Sequence, residues 1–149
     1  MAYNFNFYAP TEVVFGKETE RKVGKLVKKQ GCNKVLLHYG GQSAERSGLL
    51  KTIRQSLDTE NIQYVELGGV VPNPRLSLVY KGIQLCREEQ VDFILAVGGG
   101  SVIDSAKAIG YGMANEGDVW DFYEYTRQAD DCLPIGAVLT IAAAGSEMS

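Results

Sequence analysis

Cysteine is scarce in this 149-residue chain and nowhere paired in sequence. Cys32, Cys86 and Cys132 are odd in number, far apart and in no C-x-x-C pattern, so neither a disulfide framework nor a thiolate metal site is suggested. They read as small buried apolar residues. Histidine is scarcer still: His38 is the only one, and a single imidazole cannot make a metal site. Near the end of a predicted strand it reads as a satisfied core or edge residue rather than a ligand. An excess of one charge is also lacking. Fifteen Lys and Arg against eighteen Asp and Glu leave a net charge of -3, which gives no general attraction to nucleic acid or to an anionic membrane. No apolar run approaches the length of a membrane span, and MAYNFNFYAP has neither the basic residues nor the apolar core of a signal peptide. A cytoplasmic protein is expected, with no nucleic acid and no membrane among its partners.

What is present is glycine in the right place. Asp92 to Gly110, DFILAVGGGSVIDSAKAIG, reads as a buried strand, a glycine turn and a helix in immediate succession. Phe93 to Val97 form the continuous apolar run of a parallel strand covered on both faces. A helix is predicted from about Ser101, with Val102, Ile103, Ala106, Ile109 and Met113 on one face of a 3.6-residue period. Gly98, Gly99 and Gly100 lie between the two. Without Cβ atoms there, backbone N–H groups can approach a large anion at the positive end of the helix. Two readings stay open at this point, a phosphate cradle and a tight turn with close helix–strand contact. The string is neither a Walker A loop nor G-x-G-x-x-G. Ser101 can cap the helix, and Asp104, three positions on, can fold back on free N–H groups in a capping box or complement the helix dipole. Lys107 lies one turn further, either on a related functional face or as a solvated charge.

The rest of the chain alternates. Residues 3 to 15, aromatic and β-branched around Ala9-Pro10-Thr11, read as a β-hairpin. A helix over Glu18 to Gln30 carries Val23, Leu26 and Val27 inward behind a solvated run of lysines, and Gly31 ends it. Strand Lys34 to Tyr39, Gly40-Gly41, a helix over Ser43 to Asp58 and strand Ile62 to Leu67 follow. After the loop to Pro74 come a helix over Arg75 to Gln90 and the central strand-turn-helix. The stretch Asn115 to Asp131 reads as an irregular or short-helical surface segment, and the last strand as Leu133 to Ile141. Strands alternating with helices of ten to sixteen residues give β-α units and a doubly wound, mostly parallel α/β sheet. The whole of 1–149 reads as one domain, with no linker to divide it.

Taken as one string, GGGSVIDSAK resembles the GGGSxxDxxK motif of the group III, iron-containing alcohol dehydrogenases. FNFYAPTEVVFG, the PNP at Pro72 to Pro74 and the closing LTIAAAGSEMS extend the likeness over nearly the whole chain, most like the butanol dehydrogenase and broad aldehyde reductase branch. Glycerol dehydrogenases and dehydroquinate synthases share the glycine motif but fit the PNP and GSEMS segments less well. The resemblance implies an N-terminal Rossmann-like dinucleotide-binding domain, apparently cut short at its C-terminal end, without the family's helical second domain. It also implies a homodimer paired through the N-terminal hairpin; an edge hairpin folded on its own domain is the alternative. Reversible hydride transfer between NAD(P)H and primary alcohols or aldehydes belongs, on this reading, to the complete enzyme. Its divalent metal, iron or zinc, would be held by residues this chain does not contain, so no catalytic or metal residue is assigned. The alternative is a non-catalytic nucleotide-binding or oligomerising module.

By the same resemblance Gly98, Gly99, Gly100 and Ser101, with Asp104 beside them, would hold the cofactor pyrophosphate. Thr140 and Ser149 would contact the cofactor from the other side. Asn73 would meet the adenosine end or only initiate the turn at Pro74. After the first core strand, several NAD-preferring members carry an aspartate where this chain has glycine. A carboxylate about 4 Å from a 2′-phosphate would cost roughly 4 kcal/mol per unit charge at an effective dielectric of 20. Its absence favours NADP(H), with the phosphate received by Gly40, Gly41 and Ser43, and leaves NAD(H) possible.

Overall fold

The computed structural model of the chain describes residues 11–14, 22–41, 43–71, 76–114 and 133–139. In chain order the elements are β1 Thr11–Val14, α1 Val23–Lys29, β2 Lys34–Tyr39, α2 Ser43–Arg46, α3 Leu49–Thr59, β3 Gln63–Leu67, α4 Leu76–Glu89, β4 Phe93–Gly98, α5 Gly100–Ala114 and β5 Ile135–Leu139. The strands form one sheet in the order β1-β5-β4-β2-β3, and every pairing is parallel. Side chains alternate between its faces. Leu36, Ile94, Ala96, Ile135 and Ala137 meet α4 and α5 in one core cluster. Val35, Leu37, Phe93, Leu95, Val97 and Val138 meet α1 and α3 in another. Two covered faces are why the central strands read as unbroken apolar runs, and the sheet is doubly wound as the sequence indicates.

Close helix packing rests on glycines. An added Cβ at Gly82 in α4 would stand 2.4 Å from Ile109 Cδ1, and one at Gly112 in α5 would stand 2.2 Å from Ile83 Cδ1. Each isoleucine therefore fills the hole left by a glycine on the facing helix. The Arg87 guanidinium donates to the Gly112 carbonyl across the same contact at 3.0 Å.

The opposite end of the sheet is tied by Asp92. Its carboxylate accepts from the backbone N–H of Asn33 and of Lys34 at 2.9–3.0 Å, and its own N–H donates to the Lys34 carbonyl. This joins the entries of β2 and β4, where the ladder has not yet begun. Hydrogen bonds to a charged acceptor contribute about 1.5–3 kcal/mol. Asp92→Ala is expected to cost about 2 kcal/mol in urea unfolding, and a loss below about 0.5 kcal/mol would count against this role.

Two sequence expectations change. Thr11–Val14 lies in the main sheet, in parallel register with Ile135–Val138, a pairing that the hairpin reading did not include. β-branched residues suit either arrangement, so the local pattern could not name the partner; residues 1–10 lie outside the described residues. The single helix over 43–58 is two, broken at Gly48 with φ of 81°. The apolar stripe begins only at Leu49, and the preceding turn reads Ser-Ala-Glu-Arg. Of the helix over 18–30, Val23–Lys29 is described, ending as expected at Gly31 with φ of 77°. The segment 115–131 lies outside the described residues. Among those residues no helix is long and apolar enough to cross a membrane.

Candidate functional site

β2 and β4 are neighbours, yet the chain leaving β2 enters α3 on one face and the chain leaving β4 enters α5 on the other. The two connections diverge and leave a crevice at the C-terminal ends of these strands, the place where open parallel sheets bind ligands. Gly40 and Gly41 form one wall. Gly98 to Ser101 form the other.

Each glycine here has a distinct reason. Gly98 has φ of 147°, a conformation side chains rarely adopt, and a Cβ there would stand 2.7 Å from Val102 Cγ2. Val102 also lies 3.8 Å from where a Gly40 Cβ would be, so its buried side chain floors the crevice between the two turns. Above that floor the space is open: a Cβ on Gly99 or Gly41 would meet nothing within 4 Å. Gly40 is held in place because its carbonyl accepts from the Gly69 N–H at 2.8 Å, continuing the β2–β3 ladder past the strand ends.

The Gly99 carbonyl accepts the first helical bonds of α5, from Val102 N–H at 3.1 Å and Ile103 N–H at 3.2 Å. The N–H groups of Gly100 and Ser101 therefore have no acceptor within the helix. They stand at the positive end of a 15-residue helix, at the mouth of an open crevice, which is an arrangement suited to a phosphate.

This start also corrects the capping box. The helix opens at Gly100 with Gly99 as its cap, so Ser101 is the second helical residue and Asp104 the fifth. A carboxylate one turn along cannot reach back over the cap. Asp104 is exposed, and among the described residues it makes no capping bond. Lys107, for which a solvated charge was one reading, is instead only 7% exposed.

The residues predicted for the site divide accordingly. Gly40, Gly41, Gly98, Gly99, Gly100 and Ser101 are brought together at the crevice. Ser43 opens the short helix α2 beside it. Asn73, Thr140 and Ser149 lie outside the described residues. An open cleft of about 410 Å³ adjoins the crevice at the end of β3, lined by Gly69, Val71, Ser77, Leu78 and Lys81.

His38 is fully buried, with Nδ1 2.8 Å from the Leu67 carbonyl and Nε2 2.8 Å from Ser105 Oγ. A carbonyl can only accept, so Nδ1 carries the proton and Nε2 accepts from the Ser105 hydroxyl. Burial lowers its pKa to about 4, against a smaller raising effect of the Leu67 bond. It is a neutral core histidine with both nitrogens engaged, as expected. On the other face the Tyr39 hydroxyl donates to Glu66, and the Arg54 guanidinium binds both Glu66 and Glu45. Burial pushes the Cys86 thiol up to about 12, and burial with the nearby Asp92 charge pushes Cys32 to about 11. Cys86 is fully buried and Cys32 half-buried, while Cys132 lies outside the described residues. Among the described residues no three His, Cys, Asp or Glu side chains are grouped to hold a metal. The sequence pointed to the glycines but not to Val102 or the Ser105–His38 pair, whose partners are 67 residues apart.

Residues 10–149 match the sequence profile described as iron-containing alcohol dehydrogenase. The chain is 51% identical to the probable NADH-dependent butanol dehydrogenase 2 of Bacillus subtilis, over 98% of this chain and 37% of that protein. It is 34% identical to the NADPH-dependent aldehyde reductase YqhD of Escherichia coli, over 97% of this chain and 37% of that one. The crystal structure of NADH-dependent butanol dehydrogenase A from Thermotoga maritima superposes with a TM-score of 0.88 at 45% identity, covering 95% of this chain and 36% of that one. The chain thus spans somewhat over a third of the length of these relatives.

Proposed function

Because the chain belongs to the iron-containing alcohol dehydrogenase family, we propose that it is the dinucleotide-binding part of an NAD(P)(H)-dependent alcohol dehydrogenase. The proposed substrates are primary alcohols such as butanol and the corresponding aldehydes. The observation that carries this is the glycine-walled crevice at the β2–β4 switch point, with the free N–H groups of Gly100 and Ser101 at its mouth. Those groups fit a pyrophosphate. The cofactor, when bound, supplies or accepts the hydride. What this chain's residues do is bind and orient it: Gly98 turns the backbone, Gly99 leaves room, and Val102 closes the floor.

A metal does not fit the described residues, since His38 has no free nitrogen and no acidic or thiol cluster stands near it. A metal of the family's kind would be held by other residues. Pairing of two copies through the N-terminal segment belongs to the same proposal.

Choice between the two cofactors falls to the end of β2. Gly40 and Gly41 place no carboxylate against a 2′-phosphate, which favours NADP(H). They supply no cation either, and Arg54 on the following helix is already bound by two glutamates. NADH, named for the Bacillus and Thermotoga relatives, suits that balance, so both forms are expected to bind.

Calorimetric titration of the 149-residue chain with NADH and NADPH tests the site and ranks the two. Gly99→Asp is the decisive variant. Its Cβ enters open space and aspartate is a favoured helix cap, so the fold should hold or gain stability. Its charge, about 4 Å from a phosphate, would cost roughly 4 kcal/mol, or about a thousandfold in affinity. Binding by wild type that survives in this variant would remove the crevice from the proposal.

A further inference from the structure

The helix that carries the proposed cradle is held against α4 toward its C-terminal end, where Gly82 seats Ile109, Gly112 seats Ile83 and Arg87 donates to the Gly112 carbonyl. α5 is buried at Val102, Ile103, Ala106, Ala108 and Ile109 and at Gly110 and Gly112, on nearly every side. Apolar burial is non-directional. Apolar contacts are lost gradually when a helix turns or slides, whereas a hydrogen bond is lost with a small displacement.

In the first turns of α5 a buried side-chain contact adds direction. Ser105 lies one turn inside α5 from Ser101 and is 2% exposed. Its hydroxyl donates to His38 Nε2, and His38 Nδ1 donates to Leu67 at the end of β3. His38 is the penultimate residue of β2, just before the Gly40–Gly41 wall. The imidazole therefore joins the first turns of α5 to the ends of both strands behind the opposite wall, inside an otherwise apolar cluster.

We propose that His38 and Ser105 are positioning residues for the cofactor, setting the angle at which the Gly100 and Ser101 N–H groups face the crevice. The inference rests on the dinucleotide reading but is separable from it. Leaving either partner alone would strand a buried donor or acceptor, so the pair acts as a unit.

The test compares three variants of the 149-residue chain. Ser105→Ala removes the contact; Ser105→Thr restores a hydroxyl at the same place. Ile53→Val trims a fully buried side chain in the cluster on the other face of the sheet and controls for stability loss alone. Amide chemical shifts of Gly100 and Ser101 are read in the free chain, and NADH affinity by calorimetry. Ser105→Ala is expected to displace both amide signals and weaken binding about tenfold, with Ser105→Thr recovering most of the loss and Ile53→Val changing neither. Unmoved Gly100 and Ser101 signals in Ser105→Ala would overturn the positioning role, as would equal weakening by Ile53→Val. Failure of wild type to bind NADH or NADPH counts against the cofactor reading, while the amide shifts still decide whether the pair sets the angle of α5.

Discussion

Gly24→Ala is expected to destabilise the chain by about 3 kcal/mol or more, a larger loss than most exposed or half-exposed substitutions give. Gly24 lies in α1 where it crosses α3. A Cβ there would stand 2.1 Å from the Ser56 carbonyl oxygen and 2.7 Å from its carbon. Both are backbone atoms, so no side chain can swing aside; the helices must separate. Separation also breaks the Gly24 N–H bond to Ser56 Oγ at 2.8 Å, which satisfies one of the free donors at the start of α1. Behind the crossing lie Val23, Val27, Ile53 and Leu57, all packed in one cluster, and their contacts loosen together. For a domain of this size, 3 kcal/mol corresponds to a fall of roughly 10 °C in Tm. Gly31→Ala is the comparison. Nothing lies within 4 Å of its Cβ, but φ is 77°, so only the backbone cost of about 1 kcal/mol is expected. Thermal melts of the two variants that fall together would show that the α1–α3 crossing tolerates a methyl group.

That contrast marks what a sequence reveals about its glycines. Gly31 announces its role by following the last apolar residue of a helical stripe. Gly24 announces nothing, because the atom that requires it belongs to Ser56, 32 residues away. The same division runs through the fold. β2 was readable from KVLLHY and β4 from FILAV because strands covered on both faces have few polar positions to interrupt them. The partner of β1 was not, since Thr11, Val13 and Val14 suit a hairpin arm and a parallel neighbour equally well. The break at Gly48 was hidden by a glycine sitting inside a run that otherwise reads as helix.

For the site, the triple glycine was legible because a phosphate cradle is made of backbone, and only glycine exposes backbone so fully. Its floor and its bracing were not. Val102 and Ser105 look in sequence like ordinary helix residues, one apolar and one small. Their roles come from β2, brought alongside β4 by the crossover that makes the switch point. Asp104 failed in the opposite sense: its spacing from Ser101 has the form of a capping box, but the helix is capped two residues earlier, at Gly99. A shift of two positions at a helix end moves a capping residue out of reach.

His38 should give the chain an acid limb of its own. In the fold its pKa is near 4, lowered chiefly by burial; unfolded, it should titrate near the ordinary 6.5. Above pH 6.5 both states hold it neutral, and its full contribution is present. Between 6.5 and about 4 the unfolded chain takes up a proton that the folded chain resists, so stability falls as pH falls through that window. The shift corresponds to roughly 3 kcal/mol at its lower end. Urea unfolding of wild type and His38→Gln at intervals from pH 7.5 to 4.5 isolates this term from the carboxylates, which titrate in both. At pH 7.5 the variant should be less stable by about 1–3 kcal/mol, because the Leu67 carbonyl and the Ser105 hydroxyl no longer share one partner that meets both. As the pH drops the gap should close, because only wild type pays to keep an imidazole neutral. Parallel stability curves over the whole range would mean that His38 titrates alike in the folded and the unfolded chain and that burial does not hold it neutral.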